Sequence, residues 1–258
     1  MTYLGFHFVF ILPLIGVLFF LVRQQGSLPY PRAGLGLLLI CTIALVYTTP
    51  WDNYLVAQEI WTYDEGRILE RLRIGYVPLE EYLFFVLQPI LTTGFLFFFA
   101  QRRADVCREA ASDPGRRWGP RIAGGLLFLG IAAAGFEMLR RPAAGDTYLG
   151  LILAWAAPIL AFQAFFGMDR ILRYRAHLVP ALVGSTAYLW LVDSIAITWS
   201  IWHITAATST GYHLFALPVE EAVFFLVTNL LVLFGLILFY DLLLRWRGIR
   251  GHPAPRLP

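Results

Sequence analysis

Apolar residues in this chain do not recur with a helical or strand period; they run together. Counted against the roughly 20 residues that a helix needs to cross a hydrocarbon core about 30 Å thick, the runs predict seven spans. These are Tyr3–Val22, Ala33–Thr49, Pro78–Phe99, Ile122–Leu139, Thr147–Phe166, Leu178–Ile201 and Pro218–Leu244. Continuous runs lack the two-residue alternation of outer-membrane strands, so helices are expected rather than a barrel. The first run has no basic residue before it and no small-residue cleavage site after it, which argues against a removed signal peptide.

The polar positions that interrupt the runs repeat. "PLEEYLFF" at 78–85 returns as "PVEEAVFF" at 218–225, an offset of 140. Asp52, nine residues before Trp61, is matched by Asp193, nine before Trp202, at an offset of 141. Each half thus reads as helix, helix ending near an Asp, extramembrane segment, then Pro-x-Glu-Glu opening a third helix. Internal repeats of this kind constrain the fold before any function is argued. Three crossings end on the side opposite to their start, and a fourth restores it, so both repeats share one orientation with helix 4 as connector. The expected architecture is an all-α membrane protein of seven transmembrane helices, two parallel three-helix repeats joined by a connector helix. Its units are residues 1–100, a basic loop plus connector at 101–145, and a second repeat with its tail at 146–258.

Composition agrees: 59% of the 258 residues are hydrophobic and 14% charged, with a mean hydropathy of +0.66, whereas soluble domains are about 45–50% apolar and about 25% charged. All 20 basic residues are arginine. Arg67, Arg71, Arg73, Arg140 and Arg141 fall on the N-terminal side, and the other fifteen, including six in the 100–121 loop and four at the C-terminus, on the opposite side. Positive residues collect in the cytoplasm. A multi-pass protein of the cell membrane is expected, its N-terminus extracytoplasmic and its C-terminus cytoplasmic. That bias accounts for the basic loops without nucleic acid. Cys41 and Cys107 make neither a disulfide framework nor a metal spacing.

One Pro-Glu-Glu is readily explained as a helix start, with Pro at the first position and acids at the positive end of the dipole. Two adjacent acids, twice, each followed by a Phe pair (Phe84 and Phe85, Phe224 and Phe225), are less easily explained so. Asp193 lies inside "AYLWLVDSIAITW", about sixteen residues into its run. An ionisable group there is costly and usually functional, though it could also bond a neighbouring helix. Asp241 and Glu137 read as interfacial. Carboxyl groups one turn from aromatic rings supply what is needed to protonate an alkene and shelter the resulting cation.

The absences narrow the chemistry. There is no Gly-x-Gly-x-x-Gly fingerprint for a flavin or nicotinamide. His7, His177, His203, His213 and His252 lack di-iron spacing, no Asp-Asp-x-x-Asp cluster occurs, and without lysine there is no retinal Schiff base. Acid–base chemistry on an apolar molecule remains, or transport. Three-plus-one-plus-three repeats are also the plan of small carriers, but the polar residues here cluster at one membrane face, with no matched midplane Gly or Pro breaks.

"PWDNYLVAQEIW", "RIGYVPLEEYLFFVLQ", "TSTG" and "LPVEEAVFFLVTNLLV" closely resemble the membrane-embedded, flavin-free lycopene cyclases, across residues 3–100 and 147–244. That family occurs as two three-helix subunits or one fused chain. The resemblance implies cyclisation of lycopene at its ψ-ends to β-rings, with proton addition, attack by the neighbouring double bond and proton loss. No electrons are transferred overall, so no cofactor and no metal is demanded. It further implies that Glu80 and/or Glu81, with Glu220 and/or Glu221, supply acid and base, that Asp52 and Asp193 orient or reprotonate them, and that the Phe pairs, with Trp61 and Trp202, line the substrate. Lycopene would enter from the lipid, and other carotenoid enzymes are conceivable neighbours. A carotenoid hydratase, capturing the same cation with water, is the alternative within this chemistry.

Overall fold

The computed structural model describes residues 1–26, 28, 30–69, 72–102, 115–140 and 145–249, with side chains through Trp246. The expectations placed on Arg71, Arg141, Cys107, most of the basic loop and the end of the tail lie outside the described residues.

The apolar runs form long helices: α1 (Tyr3–Gln24), α2 (Ala33–Ala57), α3 (Leu79–Gln101), α4 (Trp118–Arg140), α5 (Thr147–Ile171), α6 (Arg175–Thr198) and α7 (Val219–Ile249). Among the described residues, six helical stretches are long and apolar enough to cross a membrane, because α5 and α6 run on as one 52-residue stretch, Thr147–Thr198, through a 3-10 turn at Leu172–Tyr174. Such a set is that of an all-α membrane protein.

Proline shapes two helices near the Glu-bearing end. Within α1 a π-helical turn spans His7–Ile11 and ends two residues before Pro13. A proline has no N–H for the carbonyl four residues back, and the wider turn absorbs the mismatch. Pro50 does not end α2 at Thr49, as the apolar run suggests; the helix continues to Ala57. Two side-chain bonds flank the proline: Thr49 Oγ1 donates to Leu45 O at 2.6 Å and Asn53 Nδ2 to Thr49 O at 2.9 Å. Asp52 is consequently inside a helix rather than beyond its end. Asp193 lies closer to its helix end than the run implies, since α6 begins and ends earlier. Both aspartates now sit in the last two turns of their helices, and both are buried.

The Glu-bearing helices α3 and α7 lie at the centre of the bundle and are its most buried spans. Helix α3 packs on α1, α2, α6 and α7, and α7 on α2, α3, α5 and α6. Phe84 meets Phe225 edge-on at 6.1 Å where the two helices touch. Helix α4 packs chiefly along α5, where Gly135 approaches so closely that a Cβ would lie 2.7 Å from Ala154 N.

Among the described residues, three short antiparallel pairs close the Glu-bearing end. β1 (Trp61–Tyr63) pairs with β4 (Trp202–Ile204), joining the halves with Tyr63 opposite Trp202. β2 (Arg73–Ile74) and β3 (Val77–Pro78) form one hairpin, and β5 (His213–Leu214) and β6 (Leu217–Pro218) the other. The first turns through Gly75 at φ +66°, the left-handed region glycine enters freely. Phe215 holds the equivalent turn at φ +58° and is 97% exposed.

Candidate active site

Each Pro-x-Glu-Glu opens its helix as its chemistry dictates. Pro78 and Pro218 end a β-hairpin strand, and the acids occupy the first turn, at the positive end of the dipole. About 100° separates adjacent positions around the helix, and the two members of each pair diverge accordingly.

Glu80 and Glu220 turn to the loops. Glu80 Oε1 accepts from Leu69 N at 2.8 Å, and Glu220 Oε1 from Thr210 N at 2.6 Å and Thr210 Oγ1 at 2.7 Å. Both are buried, and each keeps one oxygen, Oε2, without a partner among the described residues.

Glu81 and Glu221 turn inward. Glu81 Oε2 accepts from the phenols of Tyr3 at 2.8 Å and Tyr63 at 3.0 Å, while Glu221 Oε1 accepts from Tyr148 at 2.6 Å. Asp52 and Asp193 stand within electrostatic range of both inward glutamates. Neither Asp52 oxygen has a hydrogen-bond partner among the described residues, and Asp193 Oδ2 has none. Trp202 and Asp193 share the wall of one cavity. The structure therefore gathers Glu81, Glu221, Asp52 and Asp193 into one constellation and leaves Glu80 and Glu220 at its rim. Tyr63 lies in β1, outside the helices, where burial, followed by the Glu81 charge, holds its phenol well above the usual range, so it remains a donor.

Glu81, Asp193 and Glu221 line a chamber of about 40 Å³ with Phe84, Phe224 and Trp61, drawn from both halves of the chain. That is room for about one water. A second cavity of about 210 Å³ adjoins it, an apolar groove between α2, α3, α5 and α7 with Leu39 and Ile43 at its exposed edge. Phe84 and Phe224 line both spaces and so stand between groove and chamber. Phe85 faces the groove, whereas Trp61, Trp202 and Phe225 face the chamber.

Several of these groups are not singled out by the sequence reading. Trp51 stacks on Trp155 at 4.4 Å and on Phe224 at 5.7 Å, and Trp155 stacks in turn on Tyr47 at 5.2 Å, an aromatic ladder along the groove wall. The phenols Tyr3 and Tyr148 had a signal: each lies in "TYLG", at 2–5 and 147–150. Tyr63 had none, because its counterpart at an offset of 141 is Ile204. Among the described residues no group of three or more His, Cys, Asp or Glu side chains is arranged to hold a metal ion.

Comparison with known proteins follows the same residues. A family model described as lycopene cyclase matches residues 1–99 and 145–242. The lycopene beta-cyclase of Halobacterium salinarum is 39% identical over 215 residues, which cover 83% of this chain and 85% of that protein. The bifunctional lycopene cyclase/phytoene synthases of Podospora anserina and Sporisorium reilianum are 34% and 36% identical, over 85% and 90% of this chain but only 37% and 34% of theirs. No solved structure matches. With the family model covering most of its length, and both Glu-Glu motifs inside the matched segments, the chain belongs to the lycopene cyclase family.

Proposed function

We propose that this chain is a lycopene β-cyclase that closes the linear ends of lycopene into β-rings by proton-initiated, non-redox chemistry. One observation carries the proposal: carboxyl groups from both halves converge on an aromatic chamber at the inner end of an apolar groove. A hydrocarbon entering from the lipid between Leu39 and Ile43 would bring its end past Phe84 and Phe224 to Glu81 and Glu221.

One carboxylic acid of the constellation protonates the terminal double bond and leaves a tertiary cation. The neighbouring double bond attacks that cation, closing the ring, and a carboxylate removes the proton that restores neutrality. One proton enters and one leaves, so substrate and product are isomers and the balance demands no redox cofactor. The faces of Phe84, Phe224 and the Trp51–Trp155 ladder stabilise the cation, and a chamber of about 40 Å³ leaves little room for water to trap it. Glu81 and Glu221 act as acid and base with Asp52 and Asp193 as their proton partners. Glu80 and Glu220 position the loops.

We further read α5 and α6 as separate crossings joined at Leu172–Tyr174, which makes seven. The two halves are then parallel repeats joined by α4. Matched pairs support this: Tyr3 with Glu81 and Tyr148 with Glu221, Leu79 N donating to Leu72 O and Val219 N to Tyr212 O. The arginine bias sets the N-terminus outside and the C-terminus in the cytoplasm of the cell membrane.

Pigment chromatography of a lycopene-accumulating bacterial host that makes this chain tests the activity. β-Carotene or singly cyclised γ-carotene is expected. Unchanged lycopene with the protein present in the membrane refutes the proposal, and a hydroxylated acyclic product would make the chain a hydratase.

A further inference from the structure

At the end of the bundle away from the carboxylates, α4, α5 and α7 enclose a cavity of about 200 Å³. Arg116, Arg121, Arg170 and Arg245 line it, with the apolar side chains of Phe166 and Leu238. Asp241, also on its wall, pairs with Arg245 at 2.7 Å, and Asp169 pairs with Arg121 at 2.5 Å and Arg170 at 3.5 Å. Among the described residues, four guanidiniums and two carboxylates meet at this basin. Its construction is specific: Arg121 and Arg170 are buried, and both pair with Asp169, as buried arginines require. Gly167 brings α5 so close to α7 that a Cβ there would lie 2.4 Å from Leu238.

The surroundings place the basin at a membrane surface. Trp118 and Trp246 beside it are each 57% exposed, and the Arg116 guanidinium lies 4.5 Å from the Trp118 ring. Exposed tryptophans at the ends of apolar helices mark the headgroup level. Phe166, 52% exposed, continues the wall along the lipid-facing side. The cavity thus offers guanidiniums at one end and hydrocarbon at the other. Guanidinium pairs bind phosphate oxygens in a planar, two-pronged manner, and basic pockets between helices on the cytoplasmic side suit anionic lipid headgroups. Free phosphate would leave the apolar half unused.

We infer that this basin binds an anionic phospholipid, its phosphate among the four arginines and an acyl chain along Phe166 and Leu238. The chain purified in neutral detergent is titrated separately with dioleoylphosphatidylglycerol, dioleoylphosphatidylcholine and inorganic phosphate, read by native mass spectrometry and thermal unfolding. Phosphatidylglycerol alone is expected to be retained and to raise the unfolding temperature. Arg116→Gln and Arg245→Gln are each expected to weaken that retention about fivefold. Arg116 is exposed, so its replacement does not endanger the fold. Equal retention of phosphatidylcholine, equal stabilisation by inorganic phosphate, or undiminished phosphatidylglycerol binding by both variants would overturn the inference.

Discussion

The Tyr148 hydroxyl donates to Glu221 at 2.6 Å across 73 residues of sequence, and the bond places a phenol from the start of α5 beside a carboxylate from the start of α7. Glu81 receives two such donors, Tyr3 and Tyr63, so the two inward glutamates are held unequally. Tyr148→Phe should therefore cost more than Tyr3→Phe. A hydrogen bond to a charged group contributes about 1.5–3 kcal/mol, so Tyr148→Phe is expected to slow cyclisation by about tenfold to a hundredfold. Tyr3→Phe, with Tyr63 still in place, should lose less, and the Tyr3→Phe, Tyr63→Phe double variant should approach Tyr148→Phe. Initial rates in membranes of equal protein content decide the order.

The members of each Glu pair should separate in the same assay. A positioned general acid or base contributes about 10²–10⁴-fold, so Glu81→Gln and Glu221→Gln should each reduce the rate by at least 10²-fold. Glu80→Gln and Glu220→Gln preserve an acceptor for Leu69 N and Thr210 N and should reduce it by less than about tenfold. The opposite order would place the chemistry on the outward pair.

Phe84 and Phe224 separate groove from chamber, and Phe224 also closes the ladder on Trp51. Phe224→Ala opens space for water next to the cation. The expected result is a lower yield of rings together with a hydroxylated acyclic by-product, both visible by chromatography and mass spectrometry. Loss of rings without that by-product would mean the ring guides substrate rather than excluding water.

Ala44 lines the groove at some distance from the carboxylates. Ala44→Trp fills the groove while leaving every chamber residue in place. Substrate turnover should fall steeply, with unchanged thermal unfolding of the purified protein. Full activity would show that the substrate reaches the chamber by another route.

Deeper in the bundle Asn229 Oδ1 accepts from Gln88 Nε2 at 2.5 Å and from Thr92 Oγ1 at 2.6 Å, while its Nδ2 donates to Thr186 Oγ1 at 3.0 Å. These bonds tie α3, α6 and α7 together. Asn229→Leu strands buried donors, at a cost of about 1–3 kcal/mol, and denaturant unfolding should show the loss.

Much of this was legible in the chain because both signals are one-dimensional. Apolar length locates a helix that crosses lipid, and a repeated Pro-x-Glu-Glu locates two equivalent helix starts. Helix ends were less legible: Pro50 looked like a terminus, but the helix runs through it and carries Asp52 inward. The division between α5 and α6 follows from two separate apolar runs, Thr147–Phe166 and Leu178–Ile201, and the backbone bridges the gap with a 3-10 turn. Which glutamate faces inward depends on helix rotation, and an adjacent pair carries no periodicity to fix it. Tyr3 and Tyr148 stood in a recurring "TYLG" too short to attract notice among tyrosines at membrane ends. Tyr63 reaches Glu81 only through the β1–β4 pairing between halves, a contact no local pattern encodes.

On the proposed chemistry, the constellation around Glu81 and Glu221 donates one proton and removes another without electron transfer. The most direct measurement of this is the mass of the product formed from lycopene by the purified chain in deuterated water, without added cofactor. One deuterium is expected for every ring closed, and a Glu81→Gln, Glu221→Gln double variant should form no ring. Rings formed without deuterium, or formed unabated by the double variant, would contradict that chemistry.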